Sequence, residues 1–145
     1  MLQAILDRLQ PEHEAVQGLG ISPETAQLFE SGYDGAGVLK GRYLAAIRSI
    51  GGELLGFVGI AIRDQQSPRM AFSNFEPATT IFNAHRAAEE AELMLCRSPL
   101  DVILAVEQGA PIESVVAFLT ESVSPHQFEI LSSLMDQRRI EACWL

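Results

Sequence analysis

Hydrophobic and polar positions follow two different rhythms along this chain, and the change falls near residue 92. Before it, short helical stripes flank a strand-rich middle. Leu2, Ile5, Leu6 and Leu9 recur at helical spacing, so residues 3–9 are predicted as an amphipathic helix. Three segments open with Ser-Pro: Ser22-Pro23, Ser98-Pro99 and Ser124-Pro125. A capping hydroxyl followed by proline at the first helical position predicts helices over 23–31, 99–108 and 125–136. Gln127, three residues after Ser124, completes a capping box. Gly32 and Gly109 are expected to close the first two as left-handed residues. A further Ala- and Glu-rich helix is expected over 83–92, starting near Asn83.

The middle reads as β structure. Residues 42–47 and 53–62 are strand-like, and the glycines of the intervening Arg-Ser-Ile-Gly-Gly predict a hairpin. Gly56 and Gly59 inside the second strand suggest a bulge or a close backbone approach. Residues 64–77 read as loop, with a short strand at Ala71-Phe72. After residue 92 strands and helices alternate. "LMLC", "SVVAFL" and "IEACWL" are near-continuous apolar runs, the pattern of parallel strands covered on both faces. The fold class expected is α/β: an α+β lobe with a small antiparallel hairpin region over 1–92, then a three-stranded parallel βαβαβ lobe over 93–145.

Composition narrows the classes of function. An apolar content of 48% can fill a core. The longest apolar stretch, residues 54–62, is too short to cross a bilayer, and the first residues lack a basic start and a cleavage site. Cys96 and Cys143 share no metal-type spacing and read as buried, reduced thiols, so a cytoplasmic protein without a membrane is expected. The net charge of −9 argues against strong non-specific nucleic-acid binding. Yet residues 40–69 carry Lys40, Arg42, Arg48, Arg63 and Arg69 against only Glu53 and Asp64, a local +3. Any polyanion-binding face belongs there, with Arg42, Arg48, Arg63 and Arg69 as candidate phosphate contacts; ordinary solvated strand charges are the plainer reading.

Other chemistry is sparse. "GYDGAGVLKGR" is glycine-rich but lacks the Gly-Lys-Ser/Thr ending of a phosphate-binding loop, so it reads as a turn into a strand. His13, His85 and His126 have no helical-spacing partner for zinc. Phe118 and Trp144 are most simply core.

The order of segments resembles the catalytic core of bacterial DNA primases, particularly phage- and plasmid-type ones. The matching residues are Ser22-Pro23-Glu24-Thr25-Ala26, Gly32-Tyr33, Gly41-Arg42, Gly52-Glu53-Leu54 with Gly56 and Gly59, and Phe82-Asn83. The C-terminal strand–helix alternation looks like the first part of a Toprim domain. The resemblance runs from Gly18 onward and implies primer synthesis with divalent metal held by a "V-E-G" glutamate and a later "D-x-D" pair.

The departures bear on that chemistry. Cys96-Arg97-Ser98 stands at the "V-E-G" position, so a metal-binding anion is replaced by a permanent cation. Asp101 matches an aspartate of the following helix, though an acid in a first turn also suits the helix dipole. Thr120 replaces the glycine after the second strand, and the acidic pair expected beyond the third strand, 140–145, is not in this sequence. Ile60 and Pro77 stand where the resemblance calls for basic residues. Arg97 is expected to disfavour magnesium, since like charges at about 4 Å repel by several kcal/mol at an intermediate dielectric. It pairs either with Glu121 or, helped by the helix starts at Ser98 and Ser124, with an external anion.

The resemblance implies a primase-related protein, and the departures lead us to expect no catalytic residues and no cofactor, with activity left open only where another chain supplies the missing carboxylates. The protein is expected to act as a binding or assembly module in a replication or mobile-element context. The alternatives are residual single-stranded nucleic-acid binding by the basic β lobe and small-anion binding near Arg97, Ser98, Asp101, Thr120, Glu121 and Ser124. An open edge of the half-Toprim sheet suggests a homodimer.

Overall fold

A computed structural model describes residues 2–73, 75–87, 93–120, 123–135 and 140–142. The chain divides into two compact units, Met1–Ile47 with Leu54–Phe75, and Arg48–Glu53 with Glu76–Leu145.

The first unit is built on four strands in the order β1-β2-β3-β4: β1 Ser31–Asp34, β2 Arg42–Arg48, β3 Leu54–Ile60 and β4 Met70–Ser73. β1 pairs with β2, and β3 with β4, antiparallel. Helix α1, Leu2–Arg8, lays the predicted stripe of Leu2, Ile5, Leu6 and Leu9 against Leu39, Leu44, Ala46 and Phe57. The glycine-bearing loop at 49–53 joins β2 to β3, with Ser49 N donating to Glu53 O at 2.8 Å, so the expected hairpin is present.

A short helix α2, Glu14–Gln17, and α3, Pro23–Leu28, precede β1. Ser22 caps α3 by accepting from Thr25 N at 3.3 Å. α3 ends earlier than residue 31, because Gly32 serves as a strand residue rather than a helix stop. Gln10 and Tyr33 exchange both backbone hydrogen bonds at 3.0 Å, and a Cβ on Gly32 would lie 2.7 Å from the Gln10 backbone. Close approach, not helix termination, requires this glycine. His13 caps α2 through Nδ1, which accepts from Ala15 N at 3.0 Å, and stacks on Tyr33 at 3.9 Å.

The second unit carries β5 Ile81–Phe82, β6 Leu93–Cys96, β7 Val115–Phe118 and β8 Ile140–Ala142 in the order β5-β7-β6-β8. β6 pairs parallel to β7 and to β8, as the apolar runs predict. The sheet has a fourth member, because β5 adds antiparallel to β7. A two-residue strand is too short to show a period, so nothing in the sequence pattern marks it. Helices α4, Pro99–Glu107, and α5, Pro125–Met135, start at the predicted Ser-Pro sites. Ile81, Ala84, Leu93 and Val116 form the core, with Phe118, Ile130 and Leu131 packed on it.

The helix expected over 83–92 does not start at Asn83. One 3-10 turn, Ala84–Arg86, follows it, and residues 88–92 lie outside the described residues. Asn83 is left-handed, at φ 69°, and its side chain is committed elsewhere. Nδ2 donates to the carbonyls of Ile112 and Val115 at 2.8 Å each, and Oδ1 accepts from Arg86 Nη1 at 2.8 Å.

Candidate nucleic-acid interface and strand-end site

The four arginines predicted as phosphate contacts differ in burial and in unit: Arg42, Arg63 and Arg69 lie in the first and Arg48 in the second. Arg42 is only 8% exposed. Its stem packs over Gly59, where a Cβ would stand 3.0 Å from Arg42 Cδ, and Nη1 donates to Gly59 O at 3.3 Å. The close approach expected at Gly59 is thus made by an arginine stem. Arg48 belongs to the other unit and donates to Gly52 O at 2.8 Å, closing its own hairpin loop.

Arg63 and Arg69 are different. Both are exposed, at the two ends of the loop joining β3 to β4. Ala61 N donates to Arg69 O at 2.8 Å, and Arg69 Nη1 donates to Arg63 O at 2.9 Å. Gln66 organises the loop from within. Its Oε1 accepts from Ile62 N at 2.6 Å and Arg63 N at 3.0 Å, while Nε2 donates to Gly41 O at 2.8 Å. That last bond ties the loop to the residue after Lys40, which is also exposed. Lys40, Arg63 and Arg69 therefore share one corner of the sheet, tempered by the exposed Asp64. Lys40 stood in the basic window of the sequence, but nothing in the pattern marked Gln66, whose bond spans 25 residues.

The second candidate site lies at the carboxyl end of the parallel strands. The register Leu95↔Val116 and Cys96↔Ala117 sets Arg97 and Ser98 beside the residues that follow β7, among them Thr120. Arg97 is exposed. Ser98 Oγ accepts from Asp101 N at 3.2 Å, so that hydroxyl serves as the α4 cap. Ser124 is fully engaged: its N–H donates to Gln127 Oε1 and its Oγ accepts from Gln127 N, both at 3.0 Å, and Oγ donates to Ala78 O at 2.6 Å. Thr120 Oγ1 donates to the same Gln127 Oε1 at 3.3 Å. The site thus brings Arg97, Ser98, Asp101 and Thr120 to one strand end, with Ser124 tied into the start of α5. Glu121, and with it the expected Arg97–Glu121 pair, lies outside the described residues, as do Cys143 and Trp144.

A divalent metal at this strand end would need hard oxygen donors. Among the described residues this strand end offers the hydroxyls of Ser98 and Thr120 and the carboxylate of Asp101, beside a guanidinium that cannot ligate a metal. Among the described residues no group of three His, Cys, Asp or Glu side chains is placed to hold a metal ion. The described residues of this strand end do not supply the oxygen set that magnesium needs.

No protein-family model and no curated protein matches the sequence. Solved structures do. The Aquifex aeolicus primase, zinc-binding and RNA polymerase domains, superimposes with a TM-score of 0.81 at 20% identity over 99% of this chain and 46% of that one. The fold is that of a bacterial primase catalytic core. A DnaG primase catalytic domain bound to single-stranded DNA gives 0.74 at 14% identity, covering 98% of this chain and 59% of its own. The Mycobacterium tuberculosis DnaG RNA polymerase domain, with a double-stranded DNA oligomer bearing a 6-nucleotide overhang, gives 0.73 at 15%, covering 99% and 60%. This chain therefore spans 46–60% of the length of these primase structures while keeping the primase fold throughout. Among the described residues no helix is long and apolar enough to cross a membrane.

Proposed function

We propose that this chain is a primase-related module that binds single-stranded nucleic acid and does not itself transfer nucleotides. The observation that carries the second half is Arg97, an exposed cation at the carboxyl end of β6, where the primase resemblance calls for a metal-binding carboxylate. A guanidinium stays charged at any pH a protein survives, so it repels a divalent cation rather than holding one. The first half is supported by the corner of Lys40, Arg63 and Arg69, and by primase structures of this fold solved with DNA. An isolated cluster of three cations on a protein of net charge −9 supports weak, salt-sensitive binding rather than a tight grip.

Assembly is the second reading. Among the described residues β5 and β8 are the outer strands of the mixed sheet, and a sheet edge is where another chain can pair. Sedimentation that shows only monomer at high concentration removes it.

One experiment addresses both halves of the main reading. The purified chain is incubated with a labelled single-stranded oligonucleotide at low salt, then with ribonucleotides and magnesium or manganese. The expected result is retardation that fades as salt rises, with no primer made. Primer synthesis by the chain alone overturns the non-catalytic half; absence of retardation at low salt overturns the binding half.

A further inference from the structure

The first unit contains a cavity that neither candidate site uses. It is a half-open pocket of about 300 Å³, lined by Leu2, Ala4 and Ile5 of α1, by Val38, Leu39 and Leu44, and by Arg8 and Asp34. We propose that this cavity binds a neutral amphipathic molecule, an aliphatic or aryl body carrying a carbonyl or similar hydrogen-bond acceptor.

Three observations argue for a formed site. The volume lies at the lower end of the range for small-molecule pockets, and the walls are chiefly aliphatic. The polar wall is fixed: Arg8 Nε donates to Asp34 Oδ1 at 2.8 Å and Nη2 donates to Asp34 Oδ2 at 3.0 Å and to Ala36 O at 3.2 Å. Gly37, at φ 81°, is part of that fit, because a Cβ there would lie 2.6 Å from Arg8 Nη2. Finally, Val38 at the rim is 93% exposed, an apolar side chain that water is left to cover.

The chemistry of the occupant follows from the ion pair. Among the described residues Arg8 Nη1 makes no hydrogen bond, and Arg8 lines the cavity while remaining partly open to water, so an acceptor on the occupant can replace water on its N–H groups. The charge of Arg8 is already matched by Asp34, which is 2% exposed. A carboxylate on the ligand would crowd a second anion against Asp34. An ammonium would face a guanidinium, and both Asp34 oxygens already accept, Oδ1 from Ala36 N as well at 3.3 Å. A neutral acceptor on an apolar body suffers neither conflict.

The test uses octanamide, octanoate and octylammonium as probes of one length and three charges. Binding is read from thermal melting and from the methyl resonances of Leu2, Leu39 and Leu44. Octanamide is expected to raise Tm saturably and shift those methyls, with octanoate and octylammonium weaker by about tenfold or more. Ala4→Trp, an exposed position on α1, places a ring across the cavity and is expected to abolish the effect. Val38→Lys, which leaves the helix untouched, is expected to weaken it. No saturable response to octanamide at millimolar concentration, equal response to all three probes, or undiminished binding in a folded Ala4→Trp or Val38→Lys variant overturns the proposal.

Discussion

Ser124 and Gln127 cap each other: the serine N–H donates to Gln127 Oε1, and the Gln127 N–H donates to Ser124 Oγ, both at 3.0 Å. The Gln127 side chain does more than a surface capping box requires. It is completely buried, and Nε2 also donates to Pro77 O at 3.2 Å and Thr80 O at 3.1 Å. One amide thereby fixes the start of α5 to the segment leading into β5. Gln127→Ala leaves two carbonyls, a hydroxyl and a backbone N–H to find new partners. The expected cost is about 2–4 kcal/mol of unfolding free energy, read from the denaturant midpoint at unchanged slope. Gln127→Glu keeps an acceptor but loses both donors, so it is expected to recover little of that loss near neutral pH.

Asn83 offers a separable case. Its backbone is left-handed and its amide holds the carbonyls of Ile112 and Val115. Asn83→Gly relieves the backbone but not the lost bonds, whereas Asn83→Ala suffers both. Asn83→Ala is expected to be less stable than Asn83→Gly by about 1 kcal/mol, the usual difference at a left-handed position. Equal stability of the two variants in chemical denaturation would show that the side-chain bonds carry the whole effect.

The legibility of the fold in the sequence followed the range of each interaction. The Ser-Pro starts at 22, 98 and 124 were readable because a cap is settled within three residues. The α1 stripe and the apolar strands were readable because their periods repeat. β5 was hidden by its two-residue length, and β1 by residues Gly32 and Asp34, which break any strand pattern. Charge density in residues 40–69 marked a window but not which of its side chains are exposed. Whether an arginine stem lies over a glycine, as Arg42 does on Gly59, depends on a neighbour 17 residues away. Gln66 stayed invisible for the same reason. The replacement expected at Arg97 rests on resemblance; what the structure adds is that Arg97 directly follows β6.

Tyr43 gives the fold a marked alkaline limit. The ring is fully buried in β2, and its hydroxyl lies 2.7 Å from Ser31 Oγ, which donates to Ala26 O at 2.7 Å. Because the serine proton is used, Tyr43 is the donor in this pair. Burial is the main cause that raises the Tyr43 pKa well above its ordinary value. Above about pH 10 the unfolded chain releases this proton while the folded chain keeps it, so stability falls as pH rises. The contribution is about 1.4 kcal/mol per pH unit until the folded tyrosine itself ionises. Tyr43→Phe is expected to be less stable than the parent at neutral pH, having lost the bond to Ser31, and to show a shallower decline above pH 10. Parallel stability curves for the two proteins between pH 9 and pH 11 would refute the assignment.

The arginines of the first unit are expected to separate by measurement into two kinds. Arg42 is held by packing on Gly59, and its guanidinium faces a carbonyl. Arg42→Ala is therefore expected to lower stability by about 1–3 kcal/mol through lost stem contacts and a lost bond. Its effect on oligonucleotide affinity, corrected for the folded fraction, should be small. Arg63→Ala and Arg69→Ala remove exposed charges, so stability should stay within about 0.5 kcal/mol of the parent. If each contacts one phosphate of a single strand, each variant reduces the slope of log affinity against log salt by about 0.7, and the double variant by about twice that. Fluorescence anisotropy across a salt series reads the slopes directly. A salt slope that falls in Arg42→Ala but not in Arg63→Ala or Arg69→Ala would move the interface away from the Gln66 loop.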